Sequence, residues 1–542
     1  MSDALTIVSQ SYSSSPKYTE IKAGLPEDYK DIKTLGDLLA INYKIVGVKE
    51  QLRRNLISVI NSGKIKYPGI IGFDDDVVPA LDRALLSCHD IFLIGQIGQA
   101  KTKIVETISK NLLSPIPIIK NSITNDCPID LPENDLVSLL NDEDTSNSSP
   151  KFFVSPESAD KIRENKLETK IEWIEGKDRY KYVLATPDIS VKDLVGYIDA
   201  VKVAKKGIEM YKIDSYSPGQ LMQAKHGIFC IDELPVLDPR KQVALLSVLQ
   251  EGRFTTGSYP VIFEPKTTFF ATANPIDYTH SGKVIEPLYD RLKSHIHTHY
   301  PKSIENEMLI ILQEGKISKS FIISTLLRTL ALIVQNARKS PEINQERGVS
   351  VRLGIHGLEL LVGESERTRA LSHKINAVPR FSDMYCLNQV AKFELVERDD
   401  TIENREKIFN KIIEESMKQI SLEFLKEQEA SLFESIKQEF LGKSFQISQK
   451  IIWKNGQTSY ENQLQNFKNL SKLIESKFEE ILSEQQSFIK KTNSHQIDST
   501  SLTINDEDKN EIRSALTEII LEGLRFISPK ILERKEAGYV ST

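Results

Sequence analysis

Three short apolar runs in the first 300 residues each end in polar side chains. They lie at residues 91–94, 228–231 and 269–273. Each run has the length of a strand but not the alternation of a half-exposed one, which is typical of a parallel strand buried on both faces. Open α/β sheets bind ligands at the carboxyl ends of such strands. The pattern predicts an α/β domain with a polar site after these runs.

Helical spacing of apolar residues precedes the first run. Residues 35–60 form a predicted helical lead-in, interrupted in the Asn42-Tyr43 region, and residues 77–86 form a further helix that delivers the chain to the first strand. About 110 residues separate the first strand's helix from the second run. That distance is longer than one βαβ unit needs, so we predict an insert at about residues 118–225.

The C-terminal half is predicted to be helical. Helical spacing begins near Ile304 and becomes strongly charged after Asn404. One apolar face repeats there at intervals of three and four, through Ile413, Met417, Ile420, Phe424, Ile436 and Phe440. This face either packs on its own domain or forms a partner-binding or coiled-coil surface.

Polar segments suggest where the chain divides. Residues 1–24 have the composition of a loose tail, 141–150 that of a surface loop or disordered patch, and 493–507 that of a linker before a last helix at 509–527. We predict four segments: a tail and helical lead-in (1–66), an α/β nucleotide-binding domain (67–302), a helical lid (303–397) and a helical C-terminal extension (398–542).

Composition narrows the class of protein. Lys and Arg total 70 against 76 Asp and Glu, a net charge of −6, which gives no basic field for nucleic acid or an anionic membrane. The four cysteines form no C-x-x-C pair, which suits a reducing compartment and disfavours structural zinc. No run is long enough to span a bilayer, and the N-terminus lacks the apolar core of a signal peptide. These features predict a cytoplasmic protein.

The first run leads into a phosphate-binding loop. Residues 95–102 read Gly-Gln-Ile-Gly-Gln-Ala-Lys-Thr, close to the pattern G-x-x-x-x-G-K-[ST]. Its glycines let backbone N–H groups and the next helix N-terminus surround phosphate oxygens, while the lysine supplies charge and the threonine a hydroxyl for Mg²⁺. We predict that ATP contacts Gly95, Gln96, Ile97, Gly98, Gln99, Ala100, Lys101, Thr102 and Lys103.

Ala100 departs from this pattern, which has glycine before the lysine. We expect its φ to be negative, because the helix would already have begun there, and alanine is then tolerated at little cost.

The second run ends in two carboxylates, Asp232 and Glu233. We predict that Asp232, with Thr102, holds Mg²⁺ and that Glu233 polarises the attacking water. Either motif alone could be a chance strand and turn. Their agreement on one site makes the nucleotide-binding interpretation the stronger one.

The motifs described above and several others resemble those of a known family. From about residue 70 to 396 the chain resembles the AAA+ ATPases of the magnesium-chelatase subunit I type, in the MoxR-like branch. The resemblance implies an α/β AAA+ P-loop core with a parallel sheet and a helical lid. Its motifs lie at residues 185–188, 193–199, 218–224, 227–235, 245–253, 278–292 and 298–301, the last two being highly specific.

The resemblance also implies roles for single residues. Asn274 matches sensor 1, which orients the attacking water, although a strand-end asparagine can simply cap a turn. Arg291 matches the arginine finger that reaches a neighbouring subunit's γ-phosphate, with a plain salt bridge to Asp290 as the alternative. Arg352 matches sensor 2 on the lid. Arg367 and Arg369 lie where relatives carry basic residues, and their roles stay open.

Two other interpretations are weaker. His295, His297 and His299 share one face of a strand and could bind metal, but an edge strand without accompanying carboxylates or cysteines is favoured. Enhancer-binding transcription activators share this ATPase core. They carry a Gly-Ala-Phe-Thr-Gly-Ala loop that is missing here, and the acidic C-terminus is poorly suited to binding DNA.

These observations lead to a function hypothesis with alternatives. The first is an ATP- and Mg²⁺-dependent motor, a ring homo-oligomer expected to be a hexamer, that remodels a partner protein or metal-insertion complex. The second is a nucleotide-gated scaffold with incidental turnover. The third, magnesium insertion into a porphyrin, has no recognisable porphyrin site in the sequence. The resemblance implies a partner with a von Willebrand factor A domain, and neither nucleic acid nor membrane is expected.

Overall fold

The computed structural model describes residues 22–141, 152–207, 215–254, 262–275, 283–317, 320–396, 400–448, 453–454, 457–494, 506–535 and 538–542. The chain divides into two compact units, Met1–His299 and Tyr300–Thr542. The predicted tail and the 141–150 loop lie almost wholly outside the described residues, as does most of the predicted 493–507 linker. The four-segment division of the chain stays a prediction. Among the described residues, no helix has the length and apolar character to cross a bilayer.

The first unit is built around a five-stranded parallel sheet with the order β4-β7-β8-β1-β9. Its strands are β1 (Ile91–Ile94), β4 (Tyr180–Leu184), β7 (Ile228–Asp232), β8 (Thr268–Ala273) and β9 (Ser294–His297). All three apolar runs of the sequence are therefore strands of one sheet, as predicted. Because β8 lies between β1 and β7, the residue after β8 lies between the phosphate-binding loop and the carboxylate pair.

Alternate side chains of these strands enter two separate hydrophobic clusters, one on each face of the sheet. Ile91, Leu93 and Phe270 belong to one cluster, and Phe92 and Phe229 belong to the other. Helices cover both faces, which explains why the strands read as continuous apolar runs. The helices of this unit are α1 (Leu35–Ala40), α2 (Val48–Asn61), α3 (Val77–Leu86), α4 (Lys101–Leu112), α5 (Glu133–Asn141), α6 (Pro156–Asn165), α7 (Val191–Val195), α8 (Ala200–Lys206), α9 (Gln220–Gln223), α10 (Pro239–Glu251) and α11 (Glu286–Arg291).

The predicted lead-in consists of α1 and α2, separated by a turn in which Asn42 has a φ of 49°. A Thr34 capping box starts α1, and the predicted helix at 77–86 coincides with α3. The segment predicted as an insert, residues 118–225, contains strands of two kinds. Two antiparallel pairs, β2 (Ile116–Ile119) with β3 (Ile171–Ile174) and β5 (Gly196–Ile198) with β6 (Tyr216–Pro218), lie outside the main sheet. Strand β4 also falls within residues 118–225 and belongs to the main sheet, and the bounds of the insert stay a prediction.

The second unit is mainly helical. Its helices are α12 (Ile304–Glu314), α13 (Ser324–Lys339), α14 (Arg352–Ser365), α15 (Ile402–Leu425), α16 (Ala430–Glu439), α17 (Ser459–Leu464), α18 (Lys468–Ser494) and α19 (Asp506–Phe526). A three-stranded sheet of β10 (Ser444–Gln446), β13 (Leu532–Lys535) and β14 (Gly538–Ser541) was not predicted, nor was the short pair β11 (Trp453–Lys454) and β12 (Gln457–Thr458). The predicted C-terminal apolar face packs into this unit's own core, which extends from Met308 to Tyr539.

A buried cluster of charges joins the predicted lid to α19. The Arg380 guanidinium donates to both carboxylate oxygens of Glu511, at 2.7 and 2.6 Å. Arg369 donates to Asp383 at 3.0 and 2.5 Å. Glu518 accepts from the Tyr460 hydroxyl at 2.9 Å, and burial raises the pKa of Glu518 despite the nearby arginines. This cluster therefore ties the described part of residues 303–397 to α19 of the predicted extension.

Candidate functional site

The phosphate-binding loop begins where β1 ends, and Gly95 fixes its start. The Gly95 N–H donates to the Ala273 carbonyl at 3.0 Å, which ties the loop to β8. A Cβ atom at this position would lie 2.0 Å from Thr298 Oγ1 and 2.3 Å from Gln99 Oε1. Both distances are far below a van der Waals contact, so only glycine fits here.

Gln99 holds the loop together from inside. Its side chain is buried, and Oε1 accepts from the Gln96 N–H and from the Thr298 hydroxyl, both at 2.9 Å. Ile97, at the tip of the loop, is 45% exposed. The Gln99 side chain therefore braces the loop, and the predicted contact of this residue with ATP would come from its backbone.

The expectation of a negative φ at Ala100 is wrong. Ala100 has φ 56° and ψ 17°, in the left-handed region, and is the N-cap of α4. Gly98 also has a positive φ, 82°. The loop must curl tightly before α4 can start at Lys101, and this curl places a left-handed residue at the position where the motif has glycine. Alanine occupies it at a conformational cost that glycine would not have.

Lys101 and Thr102 start α4 and face the loop and the carboxylate pair, respectively. The Lys101 ammonium donates to the Gly95 and Gln96 carbonyls at 2.5 and 3.0 Å, so its charge lies within the loop. The Thr102 hydroxyl lies 3.4 Å from Asp232 Oδ2. Lys103 is half-buried one residue further along the helix. Thr102 and Asp232, 130 positions apart in the chain, thus place a hydroxyl and a carboxylate oxygen next to each other.

Asp232, the last residue of β7, is held by the strands on both sides. From β4, the Tyr182 hydroxyl donates to Asp232 Oδ2 at 2.8 Å. From β8, the Thr272 hydroxyl donates to Oδ1. The sequence analysis missed both residues, since neither belongs to a recognisable motif and the contacts depend on which strands are neighbours.

Glu233 and Asn274 follow the ends of neighbouring strands. Glu233 has φ 56°, and its N–H donates to the Thr272 hydroxyl at 3.1 Å, so Thr272 contacts both acidic residues. A left-handed conformation at a non-glycine residue is costly and is concentrated at functional sites. Asn274 follows β8 directly and is 7% exposed. The structure therefore brings Thr102, Asp232, Glu233 and Asn274 to the same edge of the sheet.

Arg291 lies elsewhere in this unit, at the end of α11. Its Nη1 donates to Asp290 Oδ2 at 2.5 Å, with side-chain exposures of 38% for the arginine and 73% for the aspartate. The salt bridge that was the alternative interpretation is therefore present. Such an exposed ion pair contributes at most about 1 kcal/mol to stability, so little free energy opposes the exchange of Asp290 for another anion.

The other three arginines that the sequence analysis singled out belong to the second unit. Arg352 is the first residue of α14 and is exposed. Arg367 is exposed and pairs with Glu364 at 2.7 Å. Arg369, in contrast, is 1% exposed and contacts Asp383 within the buried charge cluster. Arg369 therefore has a structural position, whereas Arg352 and Arg367 are accessible.

The three histidines lie on and after β9, an edge strand of the sheet. The His295 ring packs against Tyr289 in a tilted contact with ring centroids 4.1 Å apart, and the imidazole of His299 contacts Asp76 at 2.9 Å. His297 is exposed. No group of three His, Cys, Asp or Glu side chains suited to a metal occurs among the described residues.

Comparison with known proteins agrees with this geometry. Residues 166–292 match the sequence profile of the AAA domain, dynein-related subfamily. The matched segment contains β4, β7 and β8, the carboxylate pair and Asn274. The first unit has the fold expected of an AAA+ core, a parallel α/β sheet that contains this matched segment. The magnesium-chelatase and MoxR-like part of the resemblance is finer than this match and stays a proposal.

Relatives outside this profile are distant. The chain is 25% identical to the uncharacterized protein YeaC of Bacillus subtilis over 223 residues, which cover 37% of this chain and 64% of that protein. A chain from a cryo-EM-based structure of the BchI and BchD subunits of magnesium chelatase is 16% identical with a TM-score of 0.31, covering 63% of this chain and 98% of that one.

The ATP complex of NtrX from Brucella abortus is 12% identical with a TM-score of 0.33, covering 71% of this chain and 73% of that one. These two TM-scores are too low to transfer residue roles from either structure to the AAA+ core.

Proposed function

We propose that this chain is an ATP-hydrolysing AAA+ motor that works as a ring of identical subunits. The observation that carries the proposal is the convergence of the phosphate-binding loop with Asp232, Glu233 and Asn274 at one edge of the sheet. A protein that only binds nucleotide needs the loop and its lysine. It has no need of a second carboxylate placed to polarise water.

The oxygen donors at this edge suit Mg²⁺. The Thr102 hydroxyl and the Asp232 carboxylate are hard ligands, and they already lie within 3.4 Å of each other. We infer that these two side chains hold Mg²⁺ together with the phosphates of ATP. When bound, the ion neutralises charge that develops on the phosphate oxygens.

Protein groups perform the remaining work. Backbone N–H groups of the curled loop and the N-terminus of α4 bind the phosphates, and the Lys101 ammonium leaves its loop carbonyls for phosphate oxygens. The Glu233 carboxylate accepts a hydrogen bond from the attacking water and polarises it, while Asn274 orients that water. In the second unit, Arg352 is proposed as the sensor that reports the nucleotide state.

The proposal of a ring depends on Arg291. This arginine is at the surface of the AAA+ core and pairs with an exposed aspartate, which leaves it free to serve a site on an adjacent subunit. A charge provided across a subunit interface would couple hydrolysis to assembly. Six subunits and a client with a von Willebrand factor A domain complete the proposal, and these two parts rest on the family resemblance alone.

Mixing two inactive variants tests this function. Arg291→Ala keeps its own Glu233, and Glu233→Gln keeps its own Arg291, so each homogeneous ring should hydrolyse ATP poorly. In mixed rings, an Arg291→Ala subunit beside a Glu233→Gln subunit regains both groups at one site, and part of the activity should return. Lys293→Ala, two residues from Arg291, is the matched control and should behave as the parent.

Co-purification of two differently tagged chains shows whether mixed assemblies form. Recovery of activity in those assemblies supports a finger acting in trans. If the two folded variants assemble together and no activity returns, Arg291 acts only in its salt bridge to Asp290.

A further inference from the structure

The carboxylate of Asp232 is held by two hydroxyl groups, one from each neighbouring strand. Thr272 of β8 donates to Oδ1, and Tyr182 of β4 donates to Oδ2 at 2.8 Å. The register of β4 and β7 pairs Leu184 with Asp232, so Tyr182 lies two residues back, and its long side chain reaches forward along the edge strand. Each carboxylate oxygen therefore has its own donor.

The two hydroxyls differ in their surroundings. Thr272 is completely buried, and it also accepts the Glu233 N–H at 3.1 Å, so one side chain sets the positions of both acidic residues. Tyr182 is 40% exposed.

Without these donors the Asp232 side chain could rotate about two torsions. Rotation would carry Oδ2 away from the Thr102 hydroxyl, which contacts the same oxygen at 3.4 Å. Carboxylates that bind metals are commonly oriented by a second set of hydrogen bonds, and losing one typically weakens metal binding about 10- to 100-fold.

We propose that Tyr182 and Thr272 are positioning residues that orient Asp232 toward Mg²⁺. This inference rests on the proposed function, because it requires Asp232 to be a Mg²⁺ ligand. Neither residue is expected to touch ATP. Their effect should therefore appear only when the metal is present.

The test measures nucleotide binding with and without metal, using a fluorescent, non-hydrolysable ATP analogue. The quantity of interest is the ratio of Kd in EDTA to Kd at saturating Mg²⁺. We expect Thr272→Val to lower this ratio by about 10-fold or more and the exposed Tyr182→Phe by about 3- to 10-fold, while Kd in EDTA stays unchanged. Asp232→Asn sets the value for complete loss.

Two further variants separate positioning from general damage. Tyr180→Phe removes a hydroxyl from the same strand that has no hydrogen bond to Asp232, and it should keep the parent ratio. Thr272→Ser retains the hydroxyl and should restore most of the ratio lost in Thr272→Val. Thermal unfolding of each variant shows that the AAA+ core is folded.

The possible results are distinct. If the parent binds no nucleotide, the proposed function itself fails. If the parent binds nucleotide and Asp232→Asn lowers the ratio, but Tyr182→Phe and Thr272→Val keep the parent value, the positioning inference is overturned and the proposed function stands. Equal weakening in EDTA and in Mg²⁺ would also overturn it, because that pattern indicates a distorted loop.

Discussion

Replacing Ala100 with glycine should stabilise the AAA+ core. Ala100 has φ 56°, where its Cβ approaches the following carbonyl oxygen. Most Ala→Gly changes in a helical region destabilise a protein, because glycine has more freedom in the unfolded chain. Because Ala100 is in the left-handed conformation, we expect the opposite sign for the change in the free energy of unfolding.

The magnitude follows from two opposing terms. Relief of the left-handed conformation contributes about 1–2 kcal/mol. The greater unfolded-state entropy of glycine removes about 0.4–1 kcal/mol of that gain. The net effect should raise the free energy of unfolding by roughly 0.5–1 kcal/mol, which corresponds to a Tm increase of about 1–4 °C for a domain of this size.

Differential scanning calorimetry of the intact chain can measure this change, with the transition of the AAA+ core identified by its shift on adding ATP. Ala244→Gly, in the middle of α10, is the matched control and should lower stability by about 0.5–1 kcal/mol. If Ala100→Gly lowers Tm as the control does, the left-handed loop conformation is wrong.

Three other changes have clear expected outcomes. Lys101→Ala removes the charge that meets the phosphates, so ATP binding measured by calorimetry should weaken strongly while Tm without nucleotide changes little. Arg380→Met leaves buried carboxylates without their cation and should lower the free energy of unfolding in urea by about 3–5 kcal/mol, whereas Arg367→Met, at an exposed pair, should leave the midpoint unchanged. Burial alone would raise the pKa of Asp126, but the Lys225 ammonium and neighbouring hydroxyls hold it below its ordinary value. Its stabilising effect should therefore be complete above the unfolded pKa of about 3.9 and be lost as the pH falls below it, and Asp126→Asn should flatten that acid limb in thermal scans from pH 6 to 2.

The parts of the fold predicted best were those encoded in local patterns. The apolar runs at 91–94, 228–231 and 269–273 became β1, β7 and β8 because buried parallel strands leave a continuous apolar signature. The helix at 77–86 was predicted to the residue for a similar reason, since its apolar positions share one face.

Features that depend on distant neighbours were missed. Tyr182 lies on a strand whose exposed positions alternate with buried ones, and only its pairing with β7 brings it to Asp232. The positive φ of Ala100 follows from loop closure, which a motif with alanine in place of glycine does not reveal. Strands β13 and β14 are short and pair with each other locally, and the long-range pairing of β14 with β10 completes the three-stranded sheet.

The arginines show the same limit. The sequence did not distinguish the roles of Arg367 and Arg369, which are two residues apart. A π-helical turn at Glu366–Ala370 turns Arg369 into the core, where Asp383 and Glu511 receive it, while Arg367 remains at the surface. Arg367 pairs with Glu364 on its own helix, whereas Glu511, a partner of Arg369, lies far along the chain, so the difference required the folded structure.

ATP turnover and ATP binding by the Glu233→Gln variant, measured beside the parent, test the central proposal most directly. The amide keeps the shape of the side chain but cannot polarise water as a carboxylate does. We expect the variant to bind ATP with a Kd close to that of the parent, while its hydrolysis rate falls by about 10² or more. Hydrolysis by Glu233→Gln at the parent rate, or a parent that binds ATP without hydrolysing it, would contradict the assignment of this chain as an ATP-hydrolysing motor.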